Sequence, residues 1–161
     1  MESQTRRGKL KMRLALYQPE IPQNTGTLLR LGACLGVPLD IIEPCGFPLS
    51  DAGLRRAGMD YLERASLTRH QGWEDFLTAC PGRLILMTPH TSHSFLDFIF
   101  EKDDILLLGR ESSGVPVTIV QQIQIHLKIP MLPDRRSITV ALAGAMVLNE
   151  ALRQTKLFPS P

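Results

Sequence analysis

Ile129-Pro130-Met131-Leu132-Pro133-Asp134-Arg135-Arg136-Ser137 is the stretch on which the reading of this chain turns. It leaves a short apolar run at 126–129 and enters an alanine-rich pattern of helical period. Pro130 and Pro133 each fix φ, lack an amide donor and push the preceding residue toward an extended shape. Ser137 is a favourable N-cap for a closing helix over 138–154. A stiff loop ending at a helix N-terminus offers carbonyls on one side and unpaired amides on the other, which suits a polar ligand such as a nucleoside. Taken alone, the stretch is also compatible with an ordinary strand-to-helix connection.

Upstream, short apolar runs alternate with helical patterns. Strands are expected at 13–17, 39–42, 83–87, 105–108 and 126–129, with a half-buried one at 61–66. Helices are expected from a cap at Asn24 or Thr25 to Leu35, from a cap at Asp51 to Ala57, over 73–79, and briefly after Pro116. Gly36 and Pro38 stop the first helix. The stretch 94–100 alternates only weakly. Such an order predicts an α/β fold with a mostly parallel sheet flanked by helices. The domain spans 13–157, between a basic arm at 1–12 and a short tail at 158–161.

Composition narrows the function classes. At 161 residues, 43% hydrophobic and 21% charged, the chain can bury a core of its own. No apolar run approaches the roughly 20 residues of a membrane span, and no apolar signal core opens the chain. Three cysteines without CxxC spacing, Cys34, Cys45 and Cys80, fit reduced thiols and a cytoplasmic protein. Net charge is only +2. Arg6, Arg7, Lys9, Lys11 and Arg13 stand against Glu2, so the first 13 residues hold an excess of four positive charges and the remainder is net negative. Any nucleic-acid surface must therefore be a local patch. His90 and His93 have no accompanying cysteine or carboxylate cluster, so no metal site is expected. His70, beside a basic residue, reads as a solvated loop histidine. Residues 109–114 match neither GxGxxG nor the P-loop.

Three loops remain, 24–30, 109–116 and 129–137, each near the C-terminal end of an expected strand, where open α/β sheets bind ligands. Arg30 suits a phosphate or a surface ion pair. Glu111 suits a hydroxyl, or the dipole of the short helix after Pro116.

These loops resemble the three signature motifs of the SPOUT superfamily of RNA methyltransferases. Asn24-Thr25-Gly26-x-x-x-Arg30 resembles the first. Leu108-Gly109-x-Glu111-x-x-Gly114-Val115-Pro116 resembles the second, and Ile129-Pro130-Met131-x-Pro133-Asp134-x-Arg136-Ser137 the third. Tyr17-Gln18-Pro19-Glu20-Ile21-Pro22, Ile41-Ile42-Glu43-Pro44, Leu54-Arg55-Arg56-Ala57-Gly58-x-Asp60-Tyr61 and Thr68-Arg69-His70 point to one branch, the small tRNA 2′-O-methyltransferases that modify the wobble ribose at position 34.

The resemblance implies a C-terminal trefoil knot, a homodimer and S-adenosylmethionine bent against the knot loops. It implies catalytic positions at Arg30, Asn24, Glu111 and Ser137. The cofactor would be held chiefly by backbone groups of Met87, Gly109, Ile129, Met131, Leu132 and Ser137. Arg55, Arg56, Arg69 and Arg135 would be candidate phosphate contacts for the tRNA anticodon stem-loop. An arginine base is chemically awkward, since guanidinium pKa values exceed about 12. The chain departs from the pattern once. The family commonly continues its third motif as Ser-hydrophobic-Asn-hydrophobic-Ser, whereas Thr139 and Ala141 follow Ser137 here. That departure keeps one alternative open, an RNA-binding or assembly protein with little catalysis; a ribosomal-RNA 2′-O-methyltransferase stands beside it as a second alternative. The alanine-rich closing helix reads as interfacial or centrally buried, with Val147 or Leu148 as candidate interface residues.

Overall fold

The computed structural model describes residues 11–50, 52, 66–135 and 138–161. The expected helix at 51–57 apart from residue 52, the expected strand at 61–66 apart from residue 66, and Arg55, Arg56, Arg136 and Ser137 lie outside the described residues.

Six strands are described: β1 Arg13–Tyr17, β2 Leu39–Ile42, β3 Leu67–His70, β4 Leu84–Met87, β5 Ile105–Leu108 and β6 Ile125–Leu127. They form one parallel sheet in the order β3-β2-β1-β5-β4-β6. A parallel sheet is covered on both faces, so its central strands read as near-continuous apolar runs. β2 and β5 are buried at every position. Helices α1 (Pro22–Leu35) and α4 (Val140–Thr155) cover one face, where Leu14, Leu16, Leu106 and Leu108 meet Leu28, Leu29, Val147 and Leu148. Helices α2 (Trp73–Ala79) and α3 (Val117–Val120) cover the other, where Ala15, Tyr17, Ile42 and Leu107 meet Phe76 and Ile119. Gly144 lets α4 come down onto the sheet: a Cβ there would sit 2.8 Å from both Leu108 Cδ1 and Leu28 Cδ2.

Local chemistry moves several boundaries. α1 begins at Pro22, with Ile21 as the capping residue, so Asn24 and Thr25 fall inside its first turn rather than capping it. Proline supplies the preset φ and spares an amide that would have no partner. At the far end Gly36 takes φ 71°, the left-handed geometry that closes a helix. α4 is capped by Thr139, whose hydroxyl accepts the Leu142 amide at 3.4 Å, so the cap stands two residues beyond the expected Ser137. Pro116 is the residue before α3 rather than its first turn. Within 94–100 the chain makes a 3₁₀ turn, Phe95–Asp97, with Ser94 accepting the Leu96 amide.

β3 is the strand that hydrophobic pattern misses. Its sequence, Leu-Thr-Arg-His, is polar because it lies at the sheet edge with its middle exposed. Register carries His70 opposite Ile42 and turns its ring inward. There it is 5% exposed, edge-on to Phe76, with Nε2 2.8 Å from Asp40 Oδ1. His70 is thus a core residue, not a solvated loop histidine. Asp40 is fully buried in β2, and Arg13 donates to it twice, Nε to Oδ2 at 2.6 Å and Nη2 to Oδ1 at 3.0 Å. Two-pronged pairing of this kind is what makes a buried carboxylate tolerable.

Candidate active site

The loops after β1, β4, β5 and β6 converge on one cavity of about 520 Å³ at the C-terminal ends of the central strands. Leu86, Met87, Leu108, Ile129 and Val140 give it apolar walls, and Asn24, His90, Glu111, Ser112 and Thr139 place polar groups around it. This is the size and character of a site for a nucleoside-sized ligand.

Two glycines shape its floor. Gly109 packs so closely on the returning loop that a Cβ would lie 2.6 Å from the Gly114 Cα. Gly114 has φ +67°, and paired bonds join Arg110 N to Gly114 O at 3.1 Å and Gly114 N to Arg110 O at 3.0 Å. The resulting tight loop puts main chain, rather than side chains, next to the cavity.

Glu111 reaches from this loop to the start of α1. It accepts the Glu20 amide at 2.8 Å and the Ile21 amide at 3.2 Å, with Asn24 Nδ2 at 3.5 Å. The carboxylate therefore stands at the positive end of α1 and not at the short helix that follows its own loop. In return Glu20 accepts from Ser112, from N at 3.0 Å and from Oγ at 2.7 Å. These bonds, the backbone one first, hold the Glu20 carboxyl below its ordinary range. Gln18 Oε1 accepts from Arg110 Nε at 3.0 Å and from Arg110 Nη2, and the guanidinium lies 5.1 Å from the centre of the Tyr17 ring.

Of the residues expected at the site, Asn24, Met87, Gly109, Glu111, Ile129 and Met131 line this cavity together. Leu132 does not line it and is 71% exposed. Arg30 is on the exposed side of α1, six residues and under two turns beyond Asn24. Arg135 is exposed. Arg69 is committed within the fold, with Nη2 2.8 Å from Glu43 Oε1 and Nη1 3.1 Å from the Leu49 carbonyl. Gln18 and Glu20 stand in a stretch that carries the family resemblance, and Arg110 and Ser112 in the 109–116 loop, but the sequence assigns none of them a role, because their partners are about 90 positions apart. On the other face of the sheet Asp40, His70 and Cys80 bring ligand-type atoms within 4.8 Å of one another. Arg13 already occupies both Asp40 oxygens and sets a positive charge against any cation there.

Comparison with known proteins gives this arrangement its context. Residues 11–149 match the SpoU rRNA Methylase family. The chain belongs to that family. A relative from Beijerinckia indica subsp. indica, a tRNA (cytidine(34)-2′-O)-methyltransferase, is 54% identical over 144 residues, covering 88% of this chain and 90% of its own. Its Escherichia coli (strain K12) counterpart of the same name is 40% identical over 146 residues, covering 89% and 93%. Among solved structures, one concerned with 2-OH methylation of C/U34 on tRNA superposes with a TM-score of 0.83 at 40% identity, covering 89% of this chain and 95% of that one. The SpoU methyltransferase AviRb from Streptomyces viridochromogenes, in complex with AdoMet, shares the fold at a TM-score of 0.81 and 22% identity, covering 91% of this chain and 58% of its own. The parallel α/β architecture is thus that of SpoU methyltransferases.

Proposed function

We infer that this chain is an S-adenosylmethionine-dependent tRNA 2′-O-methyltransferase that acts on the ribose of nucleotide 34. One observation supports this most strongly. Segments far apart in sequence, 21–24, 108–115, 129–131 and 138–140, line a single cavity at the strand ends, in a chain whose relatives at 40–54% identity carry that activity.

The cavity suits the cofactor. Its apolar walls fit an adenine, and the main chain of 109–114, Met87 and Ile129 offers carbonyls and amides to the edge of the base. Ser137 is assigned to the same site. When bound, S-adenosylmethionine supplies an electrophilic sulfonium methyl. The protein's part is to place a ribose hydroxyl in line with that methyl and to assist loss of its proton. We assign Arg30 to the hydroxyl and to the phosphate beside it. Asn24 and Glu111 set the first turn of the helix that carries Arg30. Arg135, Arg55 and Arg56 are proposed phosphate contacts. Arg69 is proposed to hold the loop at 43–49 beneath the RNA, since its guanidinium is engaged there.

Two finer features belong to the same proposal. β6 lies at one end of the described sheet and α4 packs on β5 and α1, an arrangement that we propose belongs to a trefoil knot. α4 buries Val147 and Leu148 completely, so neither is free to meet a partner. Leu142 and Met146, 56% and 42% exposed on the same helix, are the proposed centre of a homodimer interface. No described helix is long and apolar enough to cross a membrane. We place the enzyme with its tRNA in the cytoplasm.

Thr139 and Ala141 are accommodated by the fold, one as the α4 cap and the other buried in the core. The test is transfer of tritiated methyl from S-adenosylmethionine to unmodified tRNA, with the labelled nucleotide mapped by mass spectrometry. Label on the ribose at position 34, with Arg30→Ala lowering transfer at least 100-fold, is the expected result. Transfer to ribosomal RNA but not to tRNA in a parallel reaction, or binding of tRNA without transfer, would replace this reading by one of the two alternatives.

A further inference from the structure

The loops after β1 and β5 exchange side chains in both directions. Glu111 crosses to the amides of Glu20 and Ile21, Glu20 crosses back to Ser112, and Gln18 receives Arg110. Gln18 adopts φ 45° at this crossing, a left-handed value uncommon for a residue other than glycine. The sheet does not need the crossing for its own cohesion, because β1 and β5 are already paired over four positions beneath it. Exposed polar contacts of this kind add little to global stability. They do sit at a joint. On one side is the Gly109–Gly114 loop that floors the cavity, and on the other is the first turn of α1.

Geometry shows what such a joint controls. Arg30 lies eight residues beyond Pro22, roughly 12 Å along the helix at 1.5 Å per residue. A tilt of about 5° at the first turn would move Arg30 by about 1 Å, and a misplacement of that size can cost on the order of 100-fold in rate. Apolar packing of Leu28 and Leu29 holds α1 against the sheet, but such packing is non-directional. Hydrogen bonds are directional, and they fix where the first turn starts.

We propose that Glu20 is a positioning residue of the methyl-transfer reaction: acting through Ser112, it fastens the start of α1 to the loop that floors the donor site, so that occupancy of that loop fixes the placement of Arg30. The proposal rests on the function inferred above. It also gives the two substrate sites a mechanical connection, and therefore a reciprocal one.

Glu20→Ala should lower kcat about 10- to 100-fold while leaving the Kd for S-adenosylmethionine within about threefold and the melting temperature nearly unchanged. Glu20→Gln keeps an acceptor oxygen for Ser112 and should recover most of the rate. A Glu20→Ala enzyme with kcat within twofold of wild type overturns the proposal. So does a loss of kcat that simply follows a lowered melting temperature. Amide hydrogen exchange tests the connection without turnover. Adding S-adenosylhomocysteine should slow exchange at both 109–114 and 20–25 in the wild type, but only at 109–114 in Glu20→Ala. Protection confined to 109–114 in the wild type would break the connection. This measurement decides the coupling even where no tRNA is methylated, an outcome that would instead remove the functional reading.

Discussion

Asp40 and Glu111 are two carboxylates held by partners from distant parts of the chain, and they are used differently. Asp40 sits inside β2, fully buried, with Arg13 and His70 reaching it from the neighbouring strands. All three belong to regular strands in fixed register, and the network lies away from the cavity at the strand ends, lining a separate recess together with Cys80. Glu111 sits on a loop, half-buried, and its partners are chiefly backbone amides of another loop. The first arrangement ties the sheet together. The second orients one mobile type of element, a loop, against a helix start and leaves a polar rim beside a cavity. Partner type separates the two roles better than burial alone.

Replacing each carboxylate should break the comparison most sharply. Asp40→Ala strands the buried His70 and the half-buried Arg13 and should cost about 3–5 kcal/mol of stability in a denaturant titration, with methyl transfer per folded molecule unchanged. Glu111→Ala should do the reverse, lowering transfer at least tenfold while costing only about 1 kcal/mol. Equal effects of both on stability would dissolve the distinction.

Gly109→Val tests the cavity side alone. The added Cβ would meet Gly114 main chain at 2.6 and 2.7 Å, so the loop must open. Calorimetry should show S-adenosylmethionine affinity reduced more than about tenfold, with the circular dichroism spectrum retained, because the clash lies in a loop.

Cysteine labelling sharpens the buried side. Burial, and then the charge of Asp40, push the Cys80 thiol up to about 11, and burial likewise raises Cys45 to about 11. Cys34 is exposed. Iodoacetamide at pH 8 should modify Cys34 first, and Cys80 labelling should climb steeply toward pH 11 as thiolate forms. In Asp40→Asn that climb should begin at lower pH, since one of the two main causes is gone.

The smallest effect comes from a third kind of carboxylate, one with only local partners. Hydrogen bonds from Arg153 and then Gln154 lower Glu150 from 4.5 to about 2. A depressed carboxyl stabilises the folded state above its unfolded value, and that contribution is lost as pH falls from about 4.5 to about 2. Glu150→Gln should therefore flatten the acid limb of the stability curve. At neutral pH it should lower the melting temperature by only about a degree or two, less in high salt.

What the sequence disclosed follows the same division. The strands at 13–17, 39–42 and 105–108 were legible because a sheet covered on both faces demands unbroken apolar runs. The glycine- and proline-rich loops marked the cavity because special backbone geometry needs those residues. β3 was not legible, since an edge strand with Thr68 and Arg69 turned outward has the composition of a loop. Asp40 was hidden inside an apolar tetrapeptide, and only register shows that Arg13 and His70 converge on it. The Glu20–Ser112 contact spans 92 positions and leaves no periodic trace. Composition pointed to Ser137 as the cap of the closing helix, whereas the structure gives the Leu142 amide to Thr139.

The placement of β1 has a consequence for biosynthesis. The strand made earliest among those described ends in the middle of the sheet, flanked by β2 on one side and β5 on the other. β2 leaves the ribosome soon after it, but Ile105 follows Tyr17 by 88 positions. At about 5–20 residues per second, one hydrogen-bonding edge of an apolar strand waits roughly 4–18 s for its neighbour. Unpaired apolar edges are templates for association with other chains. The nascent protein therefore passes through an interval in which its central strand is its most vulnerable part, and slowed translation between residues 43 and 105 should raise the fraction captured by chaperones.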